Sequence, residues 1–298
     1  MQTTLTSINT LRANWKDYLA LCKPKVVILM LITALVGAFI ATPGWPNIGQ
    51  LLIAVIGIGA CAASGATINN MIDHQLDAKM ARTRHRATAS GIVSPVQALA
   101  FALALAVSGM LLLWFLVNPL TAWLTLFALI GYAVIYTLFL KRATPQNITI
   151  GGLAGAMPPL LGWTAVTGQV DPNALLLVLI IFAWTPPHFW ALALHKKDEY
   201  AKADVPMLPV THGDAFTRIQ IALYSLLLLG CTLLPFVTGM SGLIYLSGIL
   251  ILNSRQFYLL WKLFDKKNTQ APYRLFKFSI LYLLWLFLLI LVDHAVFS

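Results

Sequence analysis

Charge is what this sequence has least of. Asp, Glu, Lys and Arg make up 10% of its 298 residues, against roughly 25% in a soluble globular domain. So few charges cannot build a water-facing surface for a chain of this size, which excludes a soluble enzyme. Disorder is excluded by the opposite excess, 59% hydrophobic residues and a mean hydropathy of +0.80. Cysteine is scarce as well. Cys22, Cys61 and Cys231 are odd in number, far apart and never in a CxxC pair, so neither a disulfide framework nor a zinc site is expected. They read as small apolar residues within helices.

What is present is a series of apolar runs, near 26–43, 51–72, 96–117, 120–140, 148–167, 173–194, 219–238, 242–261 and 278–297. A helix crosses the hydrocarbon with about 20 residues, so nine helices would use about 180. The expected fold is therefore all-α: a polytopic membrane protein of nine transmembrane helices in one bundle. One domain accounts for residues 1–298, with 1–25 as a cytoplasmic segment and 26–297 as the bundle. The first run has no obvious small-residue cleavage site and is followed by eight more, so it reads as a span and not as a removed signal peptide.

The net charge of +10 raises the question of nucleic acid, and its distribution answers it. Arg12, Lys16, Lys23 and Lys25 precede the first run. Lys79, Arg82, Arg84 and Arg86 follow the second, and Lys141 and Arg142 follow the fourth. Lys196, Lys197, Lys202 and Arg218 follow the sixth. Arg255, Lys262, Lys266, Lys267, Arg274 and Lys277 lie at and after the end of the eighth. These are all 20 basic residues, and the loops after runs one, three, five and seven have none. Such one-sidedness places the N-terminus in the cytoplasm and the C-terminus outside. Topology and anionic lipid headgroups explain the charge without nucleic acid.

The basic loops after the second and sixth runs are about 22 residues each, and long loops usually carry function. The chemistry is therefore expected at the cytoplasmic face. The second run ends in Asn69-Asn70-Met71-Ile72-Asp73-His74-Gln75-Leu76-Asp77. On a continuous helix, Asn69, Asp73 and Asp77 fall within about 80° of one another, along about 12 Å. Carboxylates there must face a bundle interior or a wet cavity, because lipid exposure is costly. A row of hard oxygen ligands suits Mg²⁺, which keeps waters and bridges to substrate phosphates. The bland alternative is a solvated helix end. Arg82 and Arg86, one turn apart if the helix continues, offer bidentate forks to phosphate; the positive-inside rule alone would also put arginines here.

A second constellation reads Trp184-Thr185-Pro186-Pro187-His188-Phe189-Trp190, then His195-Lys196-Lys197-Asp198-Glu199-Tyr200. The prolines are expected to kink or break the sixth helix. His188, just past them, is a candidate metal ligand or proton carrier, or simply a hydrogen-bonded structural residue. Asp198 and Glu199 could hold a second metal, and Lys196 and Lys197 a diphosphate or lipid headgroups. A third stretch has Tyr132 and Tyr136 one turn apart, Lys141-Arg142, and Gln146-Asn147. Gly151, Gly155 and neighbouring alanines follow and should let helices approach closely.

These residues resemble a known group. The NxxxDxxxD row and the second polar cluster, in a nine-helix frame, are similar to the intramembrane aromatic (UbiA-type) prenyltransferase superfamily. The resemblance runs from about Tyr18 to the last helix. Within it, Leu140-Lys141-Arg142, Pro145-Gln146-Asn147, Gly151-Gly152, Pro158-Pro159, Pro187-His188-Phe189-Trp190 and Pro206-Met207-Leu208-Pro209 resemble the haem branch, the protohaem IX farnesyltransferases. The resemblance implies a transferase of a bacterial cytoplasmic membrane that joins farnesyl diphosphate to the vinyl group of haem b with addition of water, giving haem O. Asn69, Asp73 and Asp77, with Asp198, would hold Mg²⁺. Arg82, Arg86, Lys141, Arg142 and Lys197 would hold diphosphate. His188, Trp184 and Trp190 would take the haem. Tyr132, Tyr136, Gln146, Asn147, His195 and Tyr200 are further site candidates, and a haem A synthase or terminal oxidase is an implied partner. The sequence departs from the superfamily in one place: its second motif is usually aspartate-rich, whereas His188 and His195 stand in that region here.

Other classes fit these residues less well. An ion-coupled transporter would put its charges near the midplane. A haem-binding oxidase subunit would have no need of NxxxDxxxD. A prenyltransferase acting on a phenol or quinone precursor is the nearer rival, and a histidine beside tryptophan favours haem over it.

Overall fold

A computed structural model describes residues 13–265 and 267–297. Arg12, Lys266 and Ser298 of the charge and topology reading lie outside the described residues. Among the described residues the chain is helical throughout, with no strand. The helices are α1 (Trp15–Leu21), α2 (Pro24–Ile40), α3 (Ile48–Ile72), α4 (His74–Lys79), α5 (Pro95–Leu116) and α6 (Pro119–Ala143). They continue as α7 (Asn147–Ala156), α8 (Pro158–Thr167), α9 (Pro172–His195), α10 (Lys197–Lys202) and α11 (Leu208–Thr211). The last are α12 (Gly213–Val237), α13 (Leu243–Leu263) and α14 (Ala271–Phe297).

All nine apolar runs fall on helix. Seven helices (α3, α5, α6, α9, α12, α13 and α14) are long and apolar enough to cross a membrane, or eight if α1 and α2, bent by 54°, form one broken span. The run near 148–167 is two ten-residue helices, α7 and α8, meeting at Met157, and neither alone is long enough to cross. Nine crossings thus require this pair to span as a unit, which remains a proposal.

The expected break at Pro186-Pro187 does not occur. The helix runs unbroken from Pro172 to His195 through both prolines. Both are buried, and Thr185 Oγ1 donates to the Ile181 carbonyl at 2.8 Å. Packing from all sides lets a spanning helix tolerate the carbonyls of Phe182 and Ala183 that the prolines leave without an N–H partner. The proline pair at a break is Pro158-Pro159, opening α8, where close packing takes over. A Cβ on Gly162 would collide with the Ala34 carbonyl, and one on Gly37 with the Pro159 carbonyl. These two glycines let α2 and α8 touch backbone to backbone. Of the glycines expected to serve close approach, Gly151 seats the Tyr136 ring, but nothing lies within 4 Å of a Cβ on Gly155.

The largest core lies among α2, α8, α9, α12, α13 and α14, where Leu177, Ile180, Tyr245, Tyr282 and Phe287 are fully buried. A smaller cluster joins the two long loops. Met80 packs with Ala203, Val205 and Met207, and with Tyr136 and Tyr200. The loop after α3 and the loop after α9 thus clasp each other at one end of the bundle.

A cysteine-scanning measurement tests the crossing of the α7–α8 pair. In a chain freed of Cys22, Cys61 and Cys231, single cysteines at the exposed positions Ala143, Gln169 and His212 should label alternately from the cytoplasm, the outside and the cytoplasm. Equal accessibility of Ala143 and Gln169 would mean that the pair re-enters without crossing.

Candidate active site

The site forms where the end of α3 meets the starts and ends of its neighbours. Asn69, Asp73 and Asp77 are each at most 5% exposed. The helix does not run straight through the row. α3 ends at Ile72, Asp73 is a hinge with ψ near 0°, and α4 begins at His74. The α-helical register survives the hinge, because Asp73 N–H donates to the Asn69 carbonyl at 3.0 Å and Asp77 N–H to the Asp73 carbonyl at 2.7 Å. The three side chains therefore stay on one side.

Each has a cation on it. Lys23 Nζ donates to Asn69 Oδ1 at 2.5 Å. Lys141 Nζ pairs with Asp73 Oδ2 at 2.5 Å, and Arg86 Nη1 with Asp77 Oδ2 at 2.7 Å. Asn69 Nδ2 ties the row together, donating to Asp73 Oδ2 at 3.0 Å and to Thr137 Oγ1 at 3.2 Å. Asp73 Oδ1 is buried without a hydrogen-bond partner. A buried orphan carboxylate oxygen beside two further oxygen ligands fits a hard divalent cation such as Mg²⁺.

Lys23 was legible only as a topology charge. It stands in the left-handed region, φ 50°, at the bend between α1 and α2, and that bend aims it at Asn69. Thr137 had no sequence signal either. It lies in a π-helical stretch, residues Gly131–Leu140 of α6. On an α-helix, nine steps of about 100° would turn Lys141 to the side opposite Tyr132. The wider i→i+5 turn takes about nine residues for two turns, so Tyr132, beside Gly65, and Lys141, on Asp73, both face α3, while Tyr136 lies against Gly151 of α7. The Tyr132 and Tyr136 rings stack with centroids 5.8 Å apart.

The remaining expectations divide. The helix does not continue past Lys79, so Arg82 and Arg86 are not one helical turn apart. Residues 80–92 form turns instead, and Arg82 lies near Tyr200 across the clasped loops. Burial raises the Tyr200 phenol above its ordinary pKa against the opposing pull of Arg82, so it meets arginine as a neutral partner. Arg142 and Gln146 are exposed, and Gln146 accepts from Thr149 at 3.0 Å. Asn147 is buried and donates to the Thr144 carbonyl at 2.7 Å. Lys197 pairs with Asp214 and Lys196 with Glu199, both at 2.7 Å, while Asp198 is exposed. Among the described residues no three His, Cys, Asp or Glu side chains gather as a metal cluster.

His188 sits on the α9–α14 seam. Its Nδ1 is 2.6 Å from Ser279 Oγ, and Trp184 stacks on its ring at 4.2 Å. Trp184 Nε1 donates to the Ser279 carbonyl at 2.8 Å, so one residue of α14 holds both. Trp190 is not with them. It is fully buried in another core, edge-on to Tyr224 at 5.4 Å. His195 stacks on Tyr273 at 4.7 Å.

A family model described as the UbiA prenyltransferase family matches residues 30–289. The chain belongs to the UbiA prenyltransferase family. Over 95% of its length it is 58% identical to a protein of Marinobacter nauticus and 59% to one of Azotobacter vinelandii, covering 94% and 95% of them. Both are named protoheme IX farnesyltransferase. Among solved structures it shares its fold with a digeranylgeranylglyceryl phosphate synthase at TM-score 0.78 and 21% identity, covering 94% of this chain and 98% of that one. It also resembles a UbiA homolog of Archaeoglobus fulgidus solved with GPP and Mg²⁺, at TM-score 0.64 and 17% identity, covering 92% and 99%. This UbiA-family chain is thus a multi-span membrane prenyltransferase.

The Lys141–Asp73 pair gives a double-mutant test. Lys141→Gln leaves a buried carboxylate uncompensated and should cost about 3–5 kcal/mol of stability in metal-free detergent solution. Asp73→Asn combined with Lys141→Gln should recover most of that loss. A double variant no more stable than Lys141→Gln alone would show that the two charges do not compensate each other.

Proposed function

We infer that this protein transfers a farnesyl group from farnesyl diphosphate to the vinyl group of haem b, with addition of water, yielding haem O and diphosphate. The observation that carries the chemistry is the buried Asn69–Asp73–Asp77 row with a cation on each member. The names of the relatives, at 58–59% identity over almost the whole chain, supply the acceptor. We read the chain as one prenyltransferase domain of a bacterial cytoplasmic membrane, with the site and the N-terminus on the cytoplasmic side.

Asn69, Asp73 and Asp77 would hold Mg²⁺, which when bound neutralises charge on a diphosphate. Lys23, Lys141 and Arg86 already lie against the row, so they can pass from its oxygens to an arriving diphosphate without crossing lipid. Their ammonium and guanidinium groups then face the oxygen that gains charge as the allylic C–O bond breaks. The stacked faces of Tyr132 and Tyr136 lie beside the row, where aromatic rings stabilise positive charge. The vinyl carbon of haem b attacks the allylic carbon, and water adds to the resulting cation, leaving a hydroxyethylfarnesyl group and releasing a proton. Apolar walls delay water until that step.

On the acceptor side, His188 is the residue proposed to orient haem b. Its Nδ1 contact with Ser279 resembles the partner that a ligating histidine usually keeps on its other nitrogen. Trp184 supplies a flat face beside it. Haem O would pass to a haem A synthase or a terminal oxidase. A role for Asp198 in a second metal site would need α10 to turn this exposed side chain inward.

Two measurements bear on this reading. Asp73→Asn and Asp77→Asn should each lower haem O formation about 10²–10³-fold, equivalent to about 3–4 kcal/mol. Haems extracted from membranes and separated by retention give the readout. Activity within threefold of the parent at equal expression would reject the acid row. His188→Ala should weaken haem binding and shift its absorption spectrum while farnesyl diphosphate affinity stays unchanged. Equal loss of both substrates with lower thermal stability would make His188 a structural residue.

A further inference from the structure

The end of α13 and the start of α14 enclose a cavity of about 310 Å³ that shares no residue with the acid row. Its seven lining residues include Arg255, Tyr258, Lys262, Asn268 and Arg274. Three of the seven are cations and none is an acid. The four ion pairs among the described residues lie elsewhere. The acid of the connecting loop, Asp265, turns its carboxylate to the Lys267 N–H at 3.0 Å.

Two of the three cations lie over aromatic faces. Arg255 Cζ lies 5.1 Å and Lys262 Nζ 5.8 Å from the Tyr258 ring centroid, and Lys262 Nζ is 4.5 Å from that of Trp261. Positions 255, 258 and 262 follow the i, i+3, i+7 spacing of one helix face. Arg274 approaches from the first turn of the 27-residue α14, whose N-terminus adds the positive end of its dipole to the same mouth. The chemistry that this cavity recognises is a phosphate.

We propose that it binds the phosphate of an anionic phospholipid. The rim decides for a lipid over a soluble anion. Trp261 is 66%, Phe264 47% and Tyr258 46% exposed, which places large aromatic surface beside the cations at a helix end. That is the composition of the membrane–water interface. A headgroup seated on Arg255, Lys262 and Arg274 brings acyl chains down over those rings, whereas free phosphate would leave them bare. Basic pockets between helices on the cytoplasmic side are suited to anionic headgroups.

The test uses the full-length protein in mild detergent, titrated with phosphatidylglycerol, phosphatidylcholine or inorganic phosphate and read by native mass spectrometry and thermal unfolding. One phosphatidylglycerol per chain should be retained in preference to phosphatidylcholine, and it should raise the unfolding temperature. Arg255→Gln/Lys262→Gln/Arg274→Gln should weaken that binding about 100-fold, and each single change about fivefold. Exchange of each cation for the other type, Arg255→Lys/Lys262→Arg/Arg274→Lys, should keep it within threefold. Unfolding in lipid-free detergent reports the fold, and the single variants stand in if the triple variant does not fold. Unchanged phosphatidylglycerol retention in a folded charge-removal variant would overturn the proposal. So would displacement of the lipid by millimolar phosphate with equal stabilisation, since the site would then take a free anion.

Discussion

Two carboxylates buried at the mouth of an apolar bundle set the terms for the rest of this structure. Moving an ion out of water costs several kcal/mol even after relaxation. Asp73 and Asp77 are at most 3% exposed, so compensation has to come from protein. It arrives from three separate elements. The bend between α1 and α2 delivers Lys23, the π-helical stretch of α6 delivers Lys141, and the turns after α4 deliver Arg86. Each is a local irregularity. A straight first helix, a regular α6 or a longer α4 would each leave one member of the row without its cation.

This explains why the row was legible in the sequence while its surroundings were not. Helical spacing is a local property, and Asn69, Asp73 and Asp77 kept their register even across the hinge at Asp73. The one-sided placement of Lys and Arg is likewise a simple count along the chain. Lys23 bonding Asn69 is a choice between residues 46 positions apart, and nothing local marks it. The π-helical turn carries no residue signature, so Tyr132 and Lys141 could not be assigned to one face beforehand.

The prolines carry the same lesson. Pro158-Pro159 and Pro186-Pro187 look equivalent as dipeptides, yet only the first stands at a break. Close backbone contact through Gly37 and Gly162 fixes α8 against α2, whereas Pro186 and Pro187 are buried inside an unbroken α9. Local rules give the cost of a proline, and packing decides whether the helix absorbs it. Trp190 shows the limit from the other side. Two residues from His188 on a helix it must point elsewhere, and it completes a core with Tyr224.

The donor and acceptor halves of the proposed reaction meet through α7. Its Gly151 lies under the Tyr136 ring of the acid-row side, and Gly152, next in sequence, lies against Thr185 of α9. Thr185 is one residue from Trp184 and three from His188, whose partner Ser279 belongs to α14. A larger side chain at either glycine would push Tyr136 from the row or α9 from α7. Two adjacent glycines on one short helix therefore set the separation between the aromatic faces beside the diphosphate mouth and the seam proposed for haem. The break at Met157, where Pro158 and Pro159 open α8, keeps these glycines on a ten-residue helix of their own, separate from the one that packs backbone to backbone on α2.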